Sequence, residues 1–175
     1  MIGMRKVKEI AYCAVLIALA LALSFMERFI PLQALIPLPG IKLGLANLVT
    51  LVALYLFQPK HALWILIPRC ILGAIFGSGL TGLLFSISGG LLALGAMVLA
   101  RKIPIFSVCG VSILGAAAHN VGQILAAMAL LCSVYIGAYL PYLLGISILT
   151  GLLTGTLCGG ILKVLPAQAG KETTP

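Results

Sequence analysis

Apolar residues along this chain do not alternate with polar ones. They run in long blocks, and the polar residues collect in short gaps between the blocks. Breaking the chain at its charges, prolines and glycine clusters predicts six helices, at about 9–29, 43–58, 61–77, 80–100, 106–131 and 136–164. A helix needs roughly 20 apolar residues to cross a ~30 Å hydrocarbon core, whereas the strands of a transmembrane barrel alternate apolar and polar positions. The blocks therefore predict an all-α integral membrane protein, one helical bundle over residues 1–175 with short gaps between antiparallel neighbours. The gap around "LCSVYIGAYLPY" (Leu131–Tyr142) carries no charge. It is nevertheless placed there because one uninterrupted helix would be far too long for a bilayer.

Charge placement agrees with six spans. With the N-terminus inside, the inner ends collect Arg5, Lys6, Lys8, Lys60, Arg101, Lys102, Lys163 and Lys171, while the outer loops hold Arg28 and Lys42. An excess of Lys and Arg on the cytoplasmic side sets orientation, so both termini are expected in the cytoplasm. Composition points the same way: 62% of residues are hydrophobic and 8% charged, against about a quarter charged in soluble domains. The net charge of +8 is scattered between apolar runs, which excludes the basic stripe of a nucleic-acid binder. The first apolar run, from near Ile10 to about Phe25, lacks a clear small-x-small cleavage site, so a retained first helix is expected. The five cysteines, Cys13, Cys70, Cys109, Cys132 and Cys158, sit singly in apolar segments and read as small buried hydrophobes.

The second and third spans are short, and Pro68 falls inside the third, where it removes a backbone hydrogen bond. Short or proline-broken spans accompany binding cavities in transporters, or mark a thin or tilted part of a bundle. Ala14, Ala18 and Ala22 on the first helix, and Gly151, Gly155 and Gly159 on the last, form small-residue stripes that allow close helix approach. Packing within the bundle explains such stripes as well as an external partner does.

Candidate chemistry rests on the polar residues that the blocks enclose. An arginine at the centre of a membrane helix costs roughly 2.5–3.5 kcal/mol or more, and faces a cavity or a partner. Arg69 is in that position. The chain has no aspartate and three glutamates, Glu9, Glu27 and Glu172. Glu27 bending inward, backbone carbonyls or an anionic ligand are the three candidate partners of Arg69. "GAAAHNVGQ" brings His119, Asn120 and Gln123 into the fifth span, with His119 and Gln123 on one face. They form either an interhelical network or a ligand-facing wall. "LIPLPGIKLGLANLV" (Leu35–Val49) reads as an outer loop entering a helix, with Lys42 at the helix start and Asn47 about one turn inside. Lys42 and the free N–H groups there would favour an anion. No metal site is expected, because His61 and His119 fall in different regions and carboxylates are few. No cofactor is implied.

"IPLPGIKLGLANLV", "RCILGAIFGS" and "AAAHNVGQILAA" together resemble the Gx transporter family, small membrane proteins also labelled heptaprenyl diphosphate synthase component I, over almost the whole chain. More distantly, the layout is similar to the substrate-binding S components of energy-coupling-factor transporters. The resemblance implies a six-helix bundle in a bacterial cytoplasmic membrane, with an outward-opening ligand cavity capped by the loop between the first two spans. It also implies that Ala14, Ala18 and Ala22 dock on a transmembrane coupling subunit driven by two ATPases. The chain itself has no phosphate-binding loop.

The synthase label meets a chemical objection. Prenyl elongation needs carboxylates to hold magnesium on a diphosphate, and no acidic pair lies within any span. A non-enzymatic role is therefore expected. The leading expectation is a substrate-binding membrane subunit for uptake of a small anionic or amphiphilic molecule, with Lys42, Asn47, Arg69, His119, Asn120 and Gln123 at the site. The competing expectation is an accessory subunit in prenyl diphosphate or quinone metabolism or membrane electron transfer, with a prenyl synthase or redox protein as partner.

Overall fold

The computed structural model describes residues 2–29, 42 and 44–164, with the backbone alone at 2–6, 8, 9 and 28. All regular structure among the described residues is helical: α1 (Ile2–Met26), α2 (Asn47–Leu56), α3 (Pro59–Gly73), α4 (Gly79–Arg101), α5 (Val108–Leu131) and α6 (Leu140–Val164). Three continuous stretches are long and apolar enough to cross a membrane: Pro59–Arg101, Val108–Leu131 and Val134–Val164. The chain is a helical membrane protein.

The first of those stretches is a hairpin. Gly77 at φ 121° and Gly79 at φ 64° take backbone conformations that side chains disfavour, and they reverse the chain at Ala74–Ser78. Beyond the turn, Leu66 of α3 packs against Gly90 of α4. These residues are equidistant in sequence from Ser78, as antiparallel helices require. The α4–α5 pair is antiparallel too, with Met97 against Gly115 and Gly89 against Gly122, and so is α5–α6, with Ile113 against Gly151 and Cys109 against Gly155. Gly151 and Gly155 thus seat α5, whereas Gly159 meets nothing. Ser112 and Thr154 add a hydroxyl pair at 2.7 Å between the same two helices.

The centre of the bundle is α2, which touches each of the other five helices. Nine of its ten residues are buried, Tyr55 excepted, as expected of a helix with apolar residues on all sides. Ten residues span about 15 Å, half a hydrocarbon core. The expected span 43–58 therefore shortens at its N-terminal side, where the chain before Asn47 folds as turns: the N–H groups of Asn47, Leu48 and Val49 donate to the carbonyls of Gly44, Leu45 and Ala46. At its other end the Arg101 guanidinium donates to the Leu54 carbonyl and lies over the Tyr55 ring at 4.9 Å. Arg101 thereby caps carbonyls that a helix C-terminus leaves unpaired.

Candidate binding site at the start of the central helix

Arg101 fixes one end of α2, and Tyr12 of α1 meets Phe57 at the same end. Lys60, Lys102 and Lys163 also lie at that end, all exposed. Counting up from this basic end, Asn47 stands one α2 length away, Arg69 ten residues into α3, Gly89 twelve residues back from Arg101 and His119 eleven residues into α5. At ~1.5 Å per residue each count gives ~15–18 Å. Three of these helices therefore deliver polar side chains, Asn47, Arg69 and His119, to one level beside Gly89 of α4, near mid-depth of a ~30 Å core.

The groups meet beneath a short strap, Lys42 and Gly44–Ala46. Gln123 holds the strap by pairing with the Lys42 backbone, its Oε1 accepting the N–H at 2.9 Å and its Nε2 donating to the carbonyl at 3.0 Å. The Lys42 ammonium reaches Ser86 Oγ at 3.2 Å. Gly44 sits at φ +84°, and a Cβ there would lie 2.9 Å from both Asn47 Nδ2 and His119 Cδ2, so the strap can descend onto these side chains only with glycine. The Leu45 N–H donates to Glu27 Oε1. Below, Arg69 Nη2 donates to Asn47 Oδ1 at 3.3 Å.

Lys42, Asn47, Arg69, His119 and Gln123 thus come together. Asn120 faces elsewhere: its Nδ2 donates to the Leu143 carbonyl at 2.9 Å, joining α5 to α6. Ala14, Ala18 and Ala22 lie exposed on α1, outside the bundle. The expected free N–H groups at the α2 start require correction. Asn47, Leu48 and Val49 donate back into the preceding turn, and Leu45 donates to Glu27. A carboxyl group of the protein itself, that of Glu27, already takes that helix start. Pro37, Pro39 and Gly40 lie outside the described residues.

Ser86 is a site residue that the sequence did not single out, and it carried no signal there. Glu27, the one acid away from the chain ends, was read as a candidate partner of Arg69 and not as a site residue.

Several polar atoms here have no hydrogen-bond partner among the described residues: Arg69 Nε, Asn47 Nδ2, both His119 ring nitrogens and Glu27 Oε2; Thr50 Oγ1, one turn along α2, and Asn120 Oδ1, on the α6 side, also lack one. The side chains that carry them are at most 7% exposed. Buried polar groups are almost always satisfied, and each orphan costs about 1–3 kcal/mol. Guanidinium and amide N–H groups can only donate, so a partner for Arg69 Nε and Asn47 Nδ2 must supply acceptor atoms. Glu27 lies within electrostatic reach of both Lys42 and Arg69, and over the described side chains two cations face one carboxylate.

Two open grooves lie elsewhere. One of about 280 Å³ is lined by Leu21, Ala22, Ser24, Phe25, Gly73 and Phe76 between α1 and the α3–α4 turn, and another runs along α6. Both are mostly apolar. No three His, Cys, Asp or Glu side chains gather to hold a metal among the described residues.

The profile of one protein family, described as heptaprenyl diphosphate synthase component I, matches residues 16–161. No curated protein and no solved structure matches the chain.

Proposed function

The chain belongs to the heptaprenyl diphosphate synthase component I family, and within that family we propose that it is a substrate-binding membrane subunit that takes up a small anionic molecule. The carrying observation is the mid-depth cluster around Arg69, with its orphaned donors and its excess of cations over carboxylates. In this reading Lys42 and Arg69 bind negative charge, Asn47 and His119 orient the ligand, and Gln123 holds the strap over it. Asn120 supports the α5 wall from behind.

The chain forms six spans in a bacterial cytoplasmic membrane, as a single domain with both termini on the cytoplasmic side. The alternating helix directions and the basic end of the bundle support this orientation. Catalysis is assigned elsewhere, because no aspartate is present and Glu9 and Glu172 lie near the chain ends. Energy comes from partner subunits. The exposed face of Ala14, Ala18 and Ala22 is the docking surface for a transmembrane coupling subunit carrying two ATPases.

The family description favours a second reading, a non-catalytic accessory component beside a prenyl synthase or redox protein. Affinity purification from native membranes separates the two. Recovery with a membrane coupling subunit and ATPases supports uptake; recovery with a synthase or redox protein and no ATPase overturns it. The site assignment is tested separately by Lys42→Ala and Arg69→Ala. If both variants bind every anion that the parent binds, with equal affinity, the assignment fails.

A further inference from the structure

We propose that Glu27 sets the charge of the ligand, so that the site beneath the Lys42 strap accepts a head group with one negative charge, of the carboxylate class. The proposal rests on the anion-binding function above.

Glu27 is placed to do this. Its carboxylate is 4% exposed, at the end of α1, and takes the Leu45 N–H where a ligand would otherwise find the α2 helix start. Burial disfavours a charged carboxylate, and the Leu45 N–H and the two facing cations, Lys42 and Arg69, oppose that cost. We count Glu27 as ionised and His119, beside the same two cations, as the neutral imidazole. On that count two positive charges and one negative leave a single positive charge over the described side chains. An uncompensated charge in a buried site is costly, so a ligand bringing one negative charge is accommodated, whereas one bringing two or three leaves charge unbalanced. Glu27 Oε2 has no hydrogen-bond partner among the described residues. It therefore also repels any acceptor-rich group that approaches on its side, while Arg69 Nε and Asn47 Nδ2 receive one on theirs.

The test uses full-length protein in nanodiscs of zwitterionic lipid at pH 8, titrated calorimetrically with alkyl carboxylates and alkyl diphosphates of matched length, two to twelve carbons. The parent is expected to bind the best carboxylate at least tenfold tighter than its matched diphosphate. Glu27→Gln should move that ratio at least tenfold towards the diphosphate, and adding Lys42→Gln should move it back. A parent that prefers diphosphates overturns the proposal without any variant, and so does a Glu27→Gln protein with an unchanged ratio; either result leaves anion binding itself standing. If neither series binds the parent or the variants, the anion-binding function fails with it.

Discussion

Arg69 donates to the side-chain oxygen of Asn47 at 3.3 Å, and this contact joins the middle of α3 to the first residue of the half-length central helix. It positions the guanidinium but leaves its Nε without a partner among the described residues. Other residues likewise serve both the bundle and the site.

Removing Arg69 leaves Asn47 Oδ1 orphaned, while Lys42 still faces Glu27. Arg69→Ala should destabilise the protein by about 1–3 kcal/mol, the cost of a buried polar group left unpaired. Asn47→Leu in the same chain should recover at least about 1 kcal/mol of that loss, because the orphaned amide is gone. Denaturation of the four members of the cycle in one detergent checks this, with no recovery as the contrary result.

Gln123 holds the strap through both groups of the Lys42 peptide. Gln123→Ala should unlatch the strap with little effect elsewhere, since each freed backbone group turns outward with Lys42. Amide exchange at Leu45 and Ala46 is expected to accelerate by an order of magnitude or more, corresponding to about 1.4 kcal/mol or more of lost local stability, while α6 amides keep their protection. Uniform acceleration throughout would mean that Gln123 supports the bundle instead.

Close approach of α4 and α5 brings His119 to the site. A Cβ on Gly122 would lie 2.7 Å from the Ser88 carbonyl oxygen and 2.8 Å from the Gly89 Cα, both backbone atoms that cannot swing aside. Gly122→Ala should cost about 1–3 kcal/mol, as overpacking does. Gly95, on the same α4, has nothing within 4 Å. Gly95→Ala should leave stability unchanged or raise it by up to about 1 kcal/mol through helix propensity. Thermal unfolding of the two variants side by side decides the matter.

Arg101 sits at the far end of α2, yet it anchors the helix whose other end carries Asn47. Arg101→Ala loses a charged C-terminal cap and a cation over an aromatic face, together about 1–2 kcal/mol. Arg101→Lys keeps the charge but not the planar stack on Tyr55, and should recover about half. Equal loss in both variants would assign the whole effect to the stacking on Tyr55.

Much of this arrangement was legible from local patterns. The apolar blocks located the six α-helices seen among the described residues, because a long apolar helix declares itself by composition over its own length. The start of α2 was misplaced because its position depends on a fold of the strap: Gly44 at φ +84° and three reverse-turn hydrogen bonds replace the helix expected from residue 43. Arg69 stood out because a central arginine demands a partner, and His119 with Gln123 because helical spacing puts them on one face. Asn120 is their neighbour in sequence but lies about 100° further round the helix, where it meets Leu143. Only tertiary packing shows that difference. Packing also separates the glycines of α6, with Gly151 and Gly155 seated on α5 and Gly159 open. Glu27 was weighed as a partner for Arg69, whereas it bonds the Leu45 N–H and so takes the helix start expected for a ligand.

The central claim is that the cluster around Arg69 and Lys42 is completed by a bound anion. Native mass spectrometry of protein gently released from its own membrane, beside the Lys42→Ala/Arg69→Ala double variant, tests this most directly. The parent should retain a small molecule that fragments as an anion, and the folded double variant should not. The same molecule on both proteins, or none on the parent, would contradict the claim.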